Sequence, residues 1–263
     1  LACMEAPNDD TLRAARRLQK AWEARSRGEA RDFYVASHRG WSQPEGWRAQ
    51  ALADARALTL GHSAAELARW NVLEIGCGVG LLAQIFGPVV ASYSGFDIAA
   101  GMVEEARRRC AGLGAVRFEV GSGSSVPERL RDRSYEFAFS LAVLIHCPRS
   151  IVSALLADAY ELLAPGGVLR FQLLADPGER FGPWSPLPAP HVADPPFGDL
   201  ETAVPLAAET SQLDEDRVAA RVSEAEAGSE YMGHVFAHAE AEALIRTFAP
   251  DAPLRWFRPD AAH

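Results

Sequence analysis

The stretch that decides the fold is Val72-Leu73-Glu74-Ile75-Gly76-Cys77-Gly78-Val79-Gly80, in which a short apolar run leads into three closely spaced glycines. The run at 72–75 has the composition of a buried strand, and a helical pattern begins at Leu81. Because glycine has no Cβ, a ligand can approach the backbone closely at such a turn. We therefore predict a strand-to-helix turn that borders a binding crevice.

On both sides of this turn, short β-like runs alternate with amphipathic helical patterns. Such alternation is typical of a parallel sheet covered by helices. Strands are predicted at residues 72–75, 91–96, 116–120, 135–140 and 167–174, and helices at 81–86, 99–113, 127–131 and 149–163. Five consecutive β units predict an α/β fold with a doubly wound, Rossmann-like, mostly parallel sheet.

The rest of the chain differs in composition from this core. The predicted parts are an N-terminal helical cap at 1–70, the core at 71–175, a proline-rich and acidic insertion or lid at 176–235, and a C-terminal part at 236–263. Cap helices are predicted at 10–30, 47–60 and 63–69. The C-terminal part is predicted to hold a helix at 237–248 and the last strand of the core at 254–257.

Composition narrows the function classes. The formal charge of -9 would repel a nucleic-acid backbone, so we expect no nucleic-acid partner. We expect no membrane insertion, because no apolar run approaches the roughly 20 residues of a bilayer-spanning helix. The four cysteines are scattered, without the close pairs of a zinc site, so no metal site is predicted. These features suggest a cytoplasmic protein.

An acidic residue at the end of the next predicted strand suggests what the crevice binds. Asp97 follows Gly80 by 17 residues, where its carboxylate can accept hydrogen bonds from the two hydroxyls of a ribose. The glycine spacing is Gly-x-Gly-x-Gly, and a dinucleotide fingerprint requires Gly-x-Gly-x-x-Gly. Glu74 also places negative charge where a pyrophosphate would lie. The pattern therefore favours a positively charged adenosine derivative over a dinucleotide.

Three segments together resemble the class I S-adenosylmethionine-dependent methyltransferases: Val72 to Gly80, Gly95 to Met102, and Leu162 to Leu169. The resemblance covers about 72–174 and implies S-adenosyl-L-methionine as cofactor and S-adenosyl-L-homocysteine as product. It also implies direct in-line transfer of a methyl group to a small-molecule O, N or C acceptor. The cofactor-binding residues that it implies are Glu74, Gly76, Cys77, Gly78, Gly80, Asp97, Ile98, Met102, Ser122, Gly123, Ser140 and Leu141.

Position in the motifs implies a role for several of these residues. The three glycines would pass beneath the cofactor, Glu74 would orient its amino-acid end, and Asp97 would hold the ribose. Ile98 and Met102 would flank the adenine. Ser122 stands where the family often has an acidic residue, and only one strand candidate follows the last helix where the family usually has an antiparallel pair. Adenine recognition and the sheet edge are therefore expected to differ from the family pattern.

The acceptor side is predicted from polar and aromatic residues near the same crevice. His146 lies just after the fourth strand and is the candidate catalytic base. The predicted substrate pocket consists of Tyr34, His38, Trp41 and His234. Three alternatives remain: a cofactor-binding module without catalysis, a protein methyltransferase, and a nicotinamide-dependent oxidoreductase. The sequence predicts no oligomeric state.

Overall fold

The computed structural model describes residues 8–35, 42–178, 184–186, 188, 197 and 234–257. The predicted pocket residues His38 and Trp41 lie outside these ranges, as does most of the predicted insertion at 176–235. The helices are α1 (Asp9–Ser26), α2 (Arg31–Val35), α3 (Pro44–Leu58), α4 (Ala64–Leu67), α5 (Leu81–Phe86), α6 (Ala100–Arg109), α7 (Arg149–Glu161) and α8 (His238–Arg246). Short 3-10 helices span Glu128–Leu130 and Leu144–His146.

The central sheet has five parallel strands in the order β3-β2-β1-β4-β5. These strands are β1 (Asn71–Ile75), β2 (Ser92–Asp97), β3 (Val116–Val120), β4 (Tyr135–Ser140) and β5 (Leu163–Phe171). This order confirms the predicted doubly wound sheet. Strand order reverses between β1 and β4, and ligands of such sheets bind beyond the carboxyl ends of the strands at that reversal. The glycine turn after β1 lies at this edge.

Alternating side chains of β1 enter two cores, because successive residues of a strand point to opposite faces of a sheet. Val72 belongs to a cluster that includes Trp47, Phe86 and Phe137. Leu73 and Ile75 belong to a cluster on the other face, together with Phe96, Ala138, Ile151 and Leu156. Burial on both faces explains why most residues of β1 are apolar.

The prediction of a final core strand at 254–257 is wrong. These residues form no strand. Instead, the Ser185 N–H donates to the Trp256 carbonyl at 2.7 Å, and the Trp256 N–H donates to Ser185 Oγ at 3.3 Å. Pro253, just before this segment, has no N–H to donate to a sheet ladder. In the described residues the sheet therefore ends at β5.

The strand predicted at 167–174 is also divided differently. β5 begins earlier, at Leu163, with a register irregularity opposite β4, and ends at Phe171. Beyond it, β6 (Leu174–Ala175) pairs in parallel with β7 (Val235–Phe236) as a separate two-stranded sheet. The chain thus leaves the main sheet before residue 174 and joins a small sheet beside α8.

A buried charge cluster ties α2 to the core. The Arg109 Nη2 donates to both carboxylate oxygens of Asp32, at 2.9 and 2.8 Å, and Arg109 Nε donates to Glu105 at 2.7 Å. The Arg109 side chain is only 1% exposed, and its guanidinium lies 5.3 Å from the Trp47 ring centroid. Burial acts to raise the pKa of Glu105, but hydrogen bonds from Arg108 and Arg109 outweigh it and hold the value at about 2. This cluster fixes α2 against α6.

Candidate active site

The glycine turn uses backbone conformations that other residues rarely adopt. Gly76, Gly78 and Gly80 have φ values of +79°, +48° and +79°. A Cβ on Gly76 would lie 2.3 Å from a Val143 methyl carbon, and one on Gly80 would lie 3.1 Å from Cys110 Sγ. A Cβ on Gly78 would instead meet the Val35 methyl carbons of α2, at 3.3 Å. Two of the glycines thus permit packing within the core, and Gly78 faces the N-terminal cap.

Replacement of Gly76 by alanine is expected to destabilise the fold. Left-handed φ costs a non-glycine residue about 1–2 kcal/mol, and Val143 must also move to admit the methyl group. Gly112→Ala is the matched control, because a Cβ at Gly112 meets nothing within 4 Å. Urea unfolding checks the prediction, since Gly76→Ala should lower the midpoint and Gly112→Ala should not. Equal midpoints for the two variants would show that the turn tolerates a side chain.

Asp97 links the glycine turn to the next helix. It ends β2, where its Oδ2 accepts from the Gly78 N–H at 3.0 Å and its Oδ1 accepts from the Ala99 N–H at 2.9 Å. Burial raises the pKa of Asp97 to about 6, against the lowering effect of these backbone hydrogen bonds. A carboxylate offers about four lone-pair sites, more than the three backbone N–H groups, of Gly78, Ile98 and Ala99, that act on Asp97, so it keeps capacity to accept a further hydrogen bond. The carboxylate stands beside the turn, where the sequence predicted a ribose-binding group.

Glu74 is a buried residue of β1 and is not exposed at the surface of the crevice. Its side chain is buried within β1, and its Oε2 accepts a short hydrogen bond from the Tyr93 hydroxyl of β2. Burial is the largest cause of a pKa raised to about 8. In the free protein the Glu74 carboxyl group is therefore mostly protonated at neutral pH. Its predicted role is to orient a charged group of the cofactor.

The residues predicted on the adenine side fall into two groups. Ile98 and Gly123 lie together, since a Cβ on Gly123 would be 2.3 Å from Ile98 Cδ1 and 3.4 Å from the Ala15 methyl of α1. Met102, in contrast, is 1% exposed and packs within the core cluster of α5. Ser122 is exposed, and its hydroxyl lies 3.0 Å from that of Ser125. Ile98 and Gly123 therefore lie beside α1, whereas Met102 lies in the core.

Other predicted cofactor residues make contacts that support the turn. The Ser140 hydroxyl donates to the Ile75 carbonyl at 3.2 Å and joins the ends of β4 and β1. Cys77 is buried under the turn, and burial raises the pKa of its thiol well above the ordinary value. Leu141 is partly buried and packs against the core cluster of α5. Ser140 and Cys77 have contacts that a purely structural role would explain.

Aromatic rings from three elements meet at the predicted acceptor side. The His146 ring lies 5.4 Å from the Trp22 ring of α1, and Trp22 lies 6.3 Å from Tyr34 of α2. The Arg25 guanidinium lies 4.9 Å from the Trp22 centroid and 5.4 Å from that of Tyr34. His234 is near this group, because its N–H donates to the Ile145 carbonyl at 2.9 Å. Trp22 thus contacts both Tyr34 and His146, and the His234 backbone lies beside the residue before His146.

Helix α1 runs along the same edge of the sheet. Gln19 donates to the Ile98 carbonyl at 3.4 Å, and Glu23 accepts from the Gly101 N–H at 3.4 Å. A Cβ on Gly101 would lie 2.4 Å from Ser26 Oγ, so the two helices approach closely. With Val35 above Gly78, α1 and α2 cover the crevice from its adenine side to the glycine turn.

Sequence reasoning missed Trp22 and Ala142 as site residues. Trp22 lies within the predicted cap helix at 10–30 and recurs there at helical spacing with other apolar residues, a pattern that indicates helix packing. Ala142, just after β4, is the one non-glycine residue with positive φ in the described ranges, at 56°, and its N–H donates to Gln172 Oε1 at 3.1 Å. Such strained residues concentrate at functional sites. No signal in the sequence marks Ala142.

Comparison with known families identifies the core. Residues 72–167 match the sequence model of a family described as a methyltransferase domain. The match covers less than half of the chain and shows that this part is similar to a methyltransferase domain. It includes the glycine turn, Asp97 and His146.

Curated relatives match the same part of the chain. The chain is 34% identical over 105 residues to malonyl-(acyl-carrier protein) O-methyltransferase of Serratia marcescens, covering 40% of this chain and 38% of that protein. It is 30% identical over 120 residues to the enzyme of the same name from Yersinia pestis, covering 44% and 42%. The chain thus spans about two fifths of the length of these relatives.

A solved structure shares the fold. It is phosphoethanolamine N-methyltransferase 1 of Haemonchus contortus in complex with phosphoethanolamine and S-adenosylhomocysteine. The TM-score is 0.50 at 17% identity, and the alignment covers 64% of this chain and 34% of that chain. At this identity the comparison supports the fold of the methyltransferase domain and nothing finer.

The described residues lack a metal-binding cluster and a membrane-spanning helix. In those ranges, no group of three or more His, Cys, Asp or Glu side chains is arranged to hold a metal ion. None of the helices in the same ranges combines the length and the apolar character needed to cross a membrane.

Proposed function

We propose that the chain transfers the methyl group of S-adenosyl-L-methionine to an O, N or C atom of a small-molecule acceptor. The observation that carries this proposal is the hydrogen bond between Asp97 and the Gly78 N–H, which holds a carboxylate against the glycine turn of a methyltransferase domain. The names of the curated relatives make an oxygen acceptor the first to test.

The residues of the crevice fit this cofactor. Asp97 retains acceptor capacity for the ribose hydroxyls, and Gly78 presents backbone without a side chain. Asp97 supplies negative charge and Glu74 can ionise beside a bound cation, which suits a cofactor with ammonium and sulfonium groups better than a pyrophosphate. The cofactor supplies an activated methyl group on a positively charged sulfur. The protein must bind it, align the acceptor and exclude water.

The aromatic group at His146 is the proposed acceptor side. Trp22 and Tyr34 offer ring surface to an acceptor, and His146 offers a nitrogen that can take a proton from an O–H or N–H acceptor near neutral pH. Alignment of the acceptor with the methyl group contributes more to catalysis than proton removal does, because displacement at carbon requires an in-line approach. The cover of α1 and α2 keeps water away from this alignment.

Calorimetric titration with S-adenosylmethionine tests the proposal. The wild-type chain should bind, and Asp97→Ala should weaken binding about 100-fold, because two charge-assisted hydrogen bonds to the ribose are lost. Asp251→Ala, at an exposed carboxylate in the turn after α8, is the control and should bind as the wild type does. Circular dichroism checks that each variant is folded. Saturable binding of NADH, with no heat from S-adenosylmethionine, would contradict the proposal.

A further inference from the structure

A buried carboxyl and phenol pair lies inside the sheet, just below the glycine turn. Glu74 is 5% exposed and Tyr93 is fully buried, on adjacent strands whose register pairs Val72 with Tyr93 and Glu74 with Gly95. The two side chains are therefore diagonal neighbours on one face of the sheet. The Tyr93 hydroxyl donates to Glu74 Oε2.

The Tyr93 ring is held on two sides. Phe86 of α5 stacks on it with centroids 6.0 Å apart, and Phe139 of β4 meets it at 63° with centroids 6.4 Å apart. Within the described residues, the side chains of Glu74 and Tyr93 each make one hydrogen bond, and it is the bond that joins them. Aromatic packing thus fixes the phenol, and the phenol fixes the orientation of the carboxyl group.

No positive charge offsets Glu74 within the described residues, since none of the ion pairs found there includes it. The titratable groups that act on it are Tyr93 and Asp97 of β2, Cys77 of the turn and Cys110 after α6. Negative charge on Asp97, Cys77 or Cys110 opposes ionisation of Glu74, whereas the hydrogen bond from the Tyr93 hydroxyl favours it, and burial outweighs that hydrogen bond. The carboxyl group is therefore expected to stay protonated until a cation arrives from the crevice.

We propose that Tyr93 is a positioning residue that holds the Glu74 carboxyl group below the glycine turn, and that binding of the cofactor's ammonium group above the turn expels the Glu74 proton to solvent. This inference rests on the proposed function. The O–H bond of the carboxylic acid breaks, the electron pair stays on the carboxylate, and the proton goes to buffer. The raised pKa of Glu74, about 8, agrees with a protonated group at pH 7 in the free protein.

Two ligands separate this role from simple packing. S-adenosylhomocysteine carries the ammonium group, and 5′-methylthioadenosine is an adenosine thioether without it. Calorimetry at pH 7 in phosphate and in Tris, whose ionisation enthalpies differ, gives the number of protons released. We expect close to one proton released with S-adenosylhomocysteine and close to none with 5′-methylthioadenosine. Glu74→Gln should remove the release.

The Tyr93→Phe variant tests the positioning role. Loss of the hydroxyl should weaken S-adenosylhomocysteine binding about tenfold and leave 5′-methylthioadenosine binding within twofold of wild type. Tyr160→Phe, a half-buried tyrosine of α7 beside Phe248, is the control and should change neither ligand. If Tyr93→Phe misfolds, the number of protons released by the wild type and by Glu74→Gln on S-adenosylhomocysteine binding still tests the inference.

The outcomes separate this inference from the proposed function. Equal weakening of both ligands in Tyr93→Phe would make Tyr93 a packing residue only and overturn the inference. Proton release that persists in Glu74→Gln would do the same, because the proton would then come from another group. Absence of binding by S-adenosylmethionine and S-adenosylhomocysteine alike would overturn the proposed function itself.

Discussion

Asp32→Ala is expected to destabilise the protein by about 3–5 kcal/mol, the range found when one partner of a buried ion pair is removed. The substitution leaves the Arg109 guanidinium, 1% exposed, with Glu105 as its remaining carboxylate partner. It also frees α2 from α6, and α2 carries Val35 over Gly78 and Tyr34 beside Trp22. Urea unfolding followed by circular dichroism measures the loss.

A second Arg–Asp pair offers the matched control. Arg117 contacts both oxygens of Asp132, through Nη1 at 2.9 Å and Nη2 at 2.5 Å, and these side chains are 31% and 50% exposed. Solvent screens an exposed pair, so Asp132→Ala should leave the unfolding midpoint nearly unchanged. If the two variants lost equal stability, burial would not be what makes the Asp32 contact important.

Glu74→Gln is expected to stabilise the ligand-free protein by about 3 kcal/mol at pH 9. Folding raises the pKa of this group from 4.5 to about 8, so it contributes no penalty below pH 4.5. The penalty grows as pH rises from 4.5 to 8 and is complete above 8. At about 1.4 kcal/mol per pKa unit the full penalty is roughly 5 kcal/mol, and burying an amide N–H2 without a partner offsets part of the gain.

The free energy of unfolding, measured at pH 4, 6 and 9, tests whether ionisation of Glu74 destabilises the fold. The difference between Glu74→Gln and wild type should grow with pH and be smallest at pH 4. Glu128→Gln, an exposed residue of the first 3-10 helix, is the control and should follow the wild-type curve at each pH. A variant less stable than wild type at pH 9 would mean that the ionised Glu74 is compensated in the fold.

The sheet was largely predictable because its signals are local. β3, β4 and α5 begin and end where the sequence predicted, because each is a short segment with a single hydrophobic pattern between turn residues. The failure at 254–257 has a tertiary cause, because an extended apolar run does not reveal whether it pairs with a sheet or with a distant segment such as the one at Ser185. α2 was missed because five residues are too few for a helical period to show.

The candidate site divides in the same way. Gly78 and Asp97 were found because their spacing is carried by a strand, a turn and the next strand along the chain. The Trp22–His146 contact joins residues more than 100 positions apart and depends on how α1 packs, which no local pattern encodes. The Tyr93–Glu74 bond crosses two strands and needs their register, and only the structure supplies it.

We propose that the crevice between the glycine turn and Asp97 holds an adenosine cofactor, and a crystal structure of the chain grown with S-adenosylhomocysteine would show whether it does. We expect ribose hydroxyls within about 2.6–3.2 Å of the Asp97 carboxylate oxygens, with the amino-acid end above Gly76 and Gly78. A crevice without the ligand, or a ligand bound elsewhere while Asp97 bonds only to Gly78 and Ala99, would contradict it.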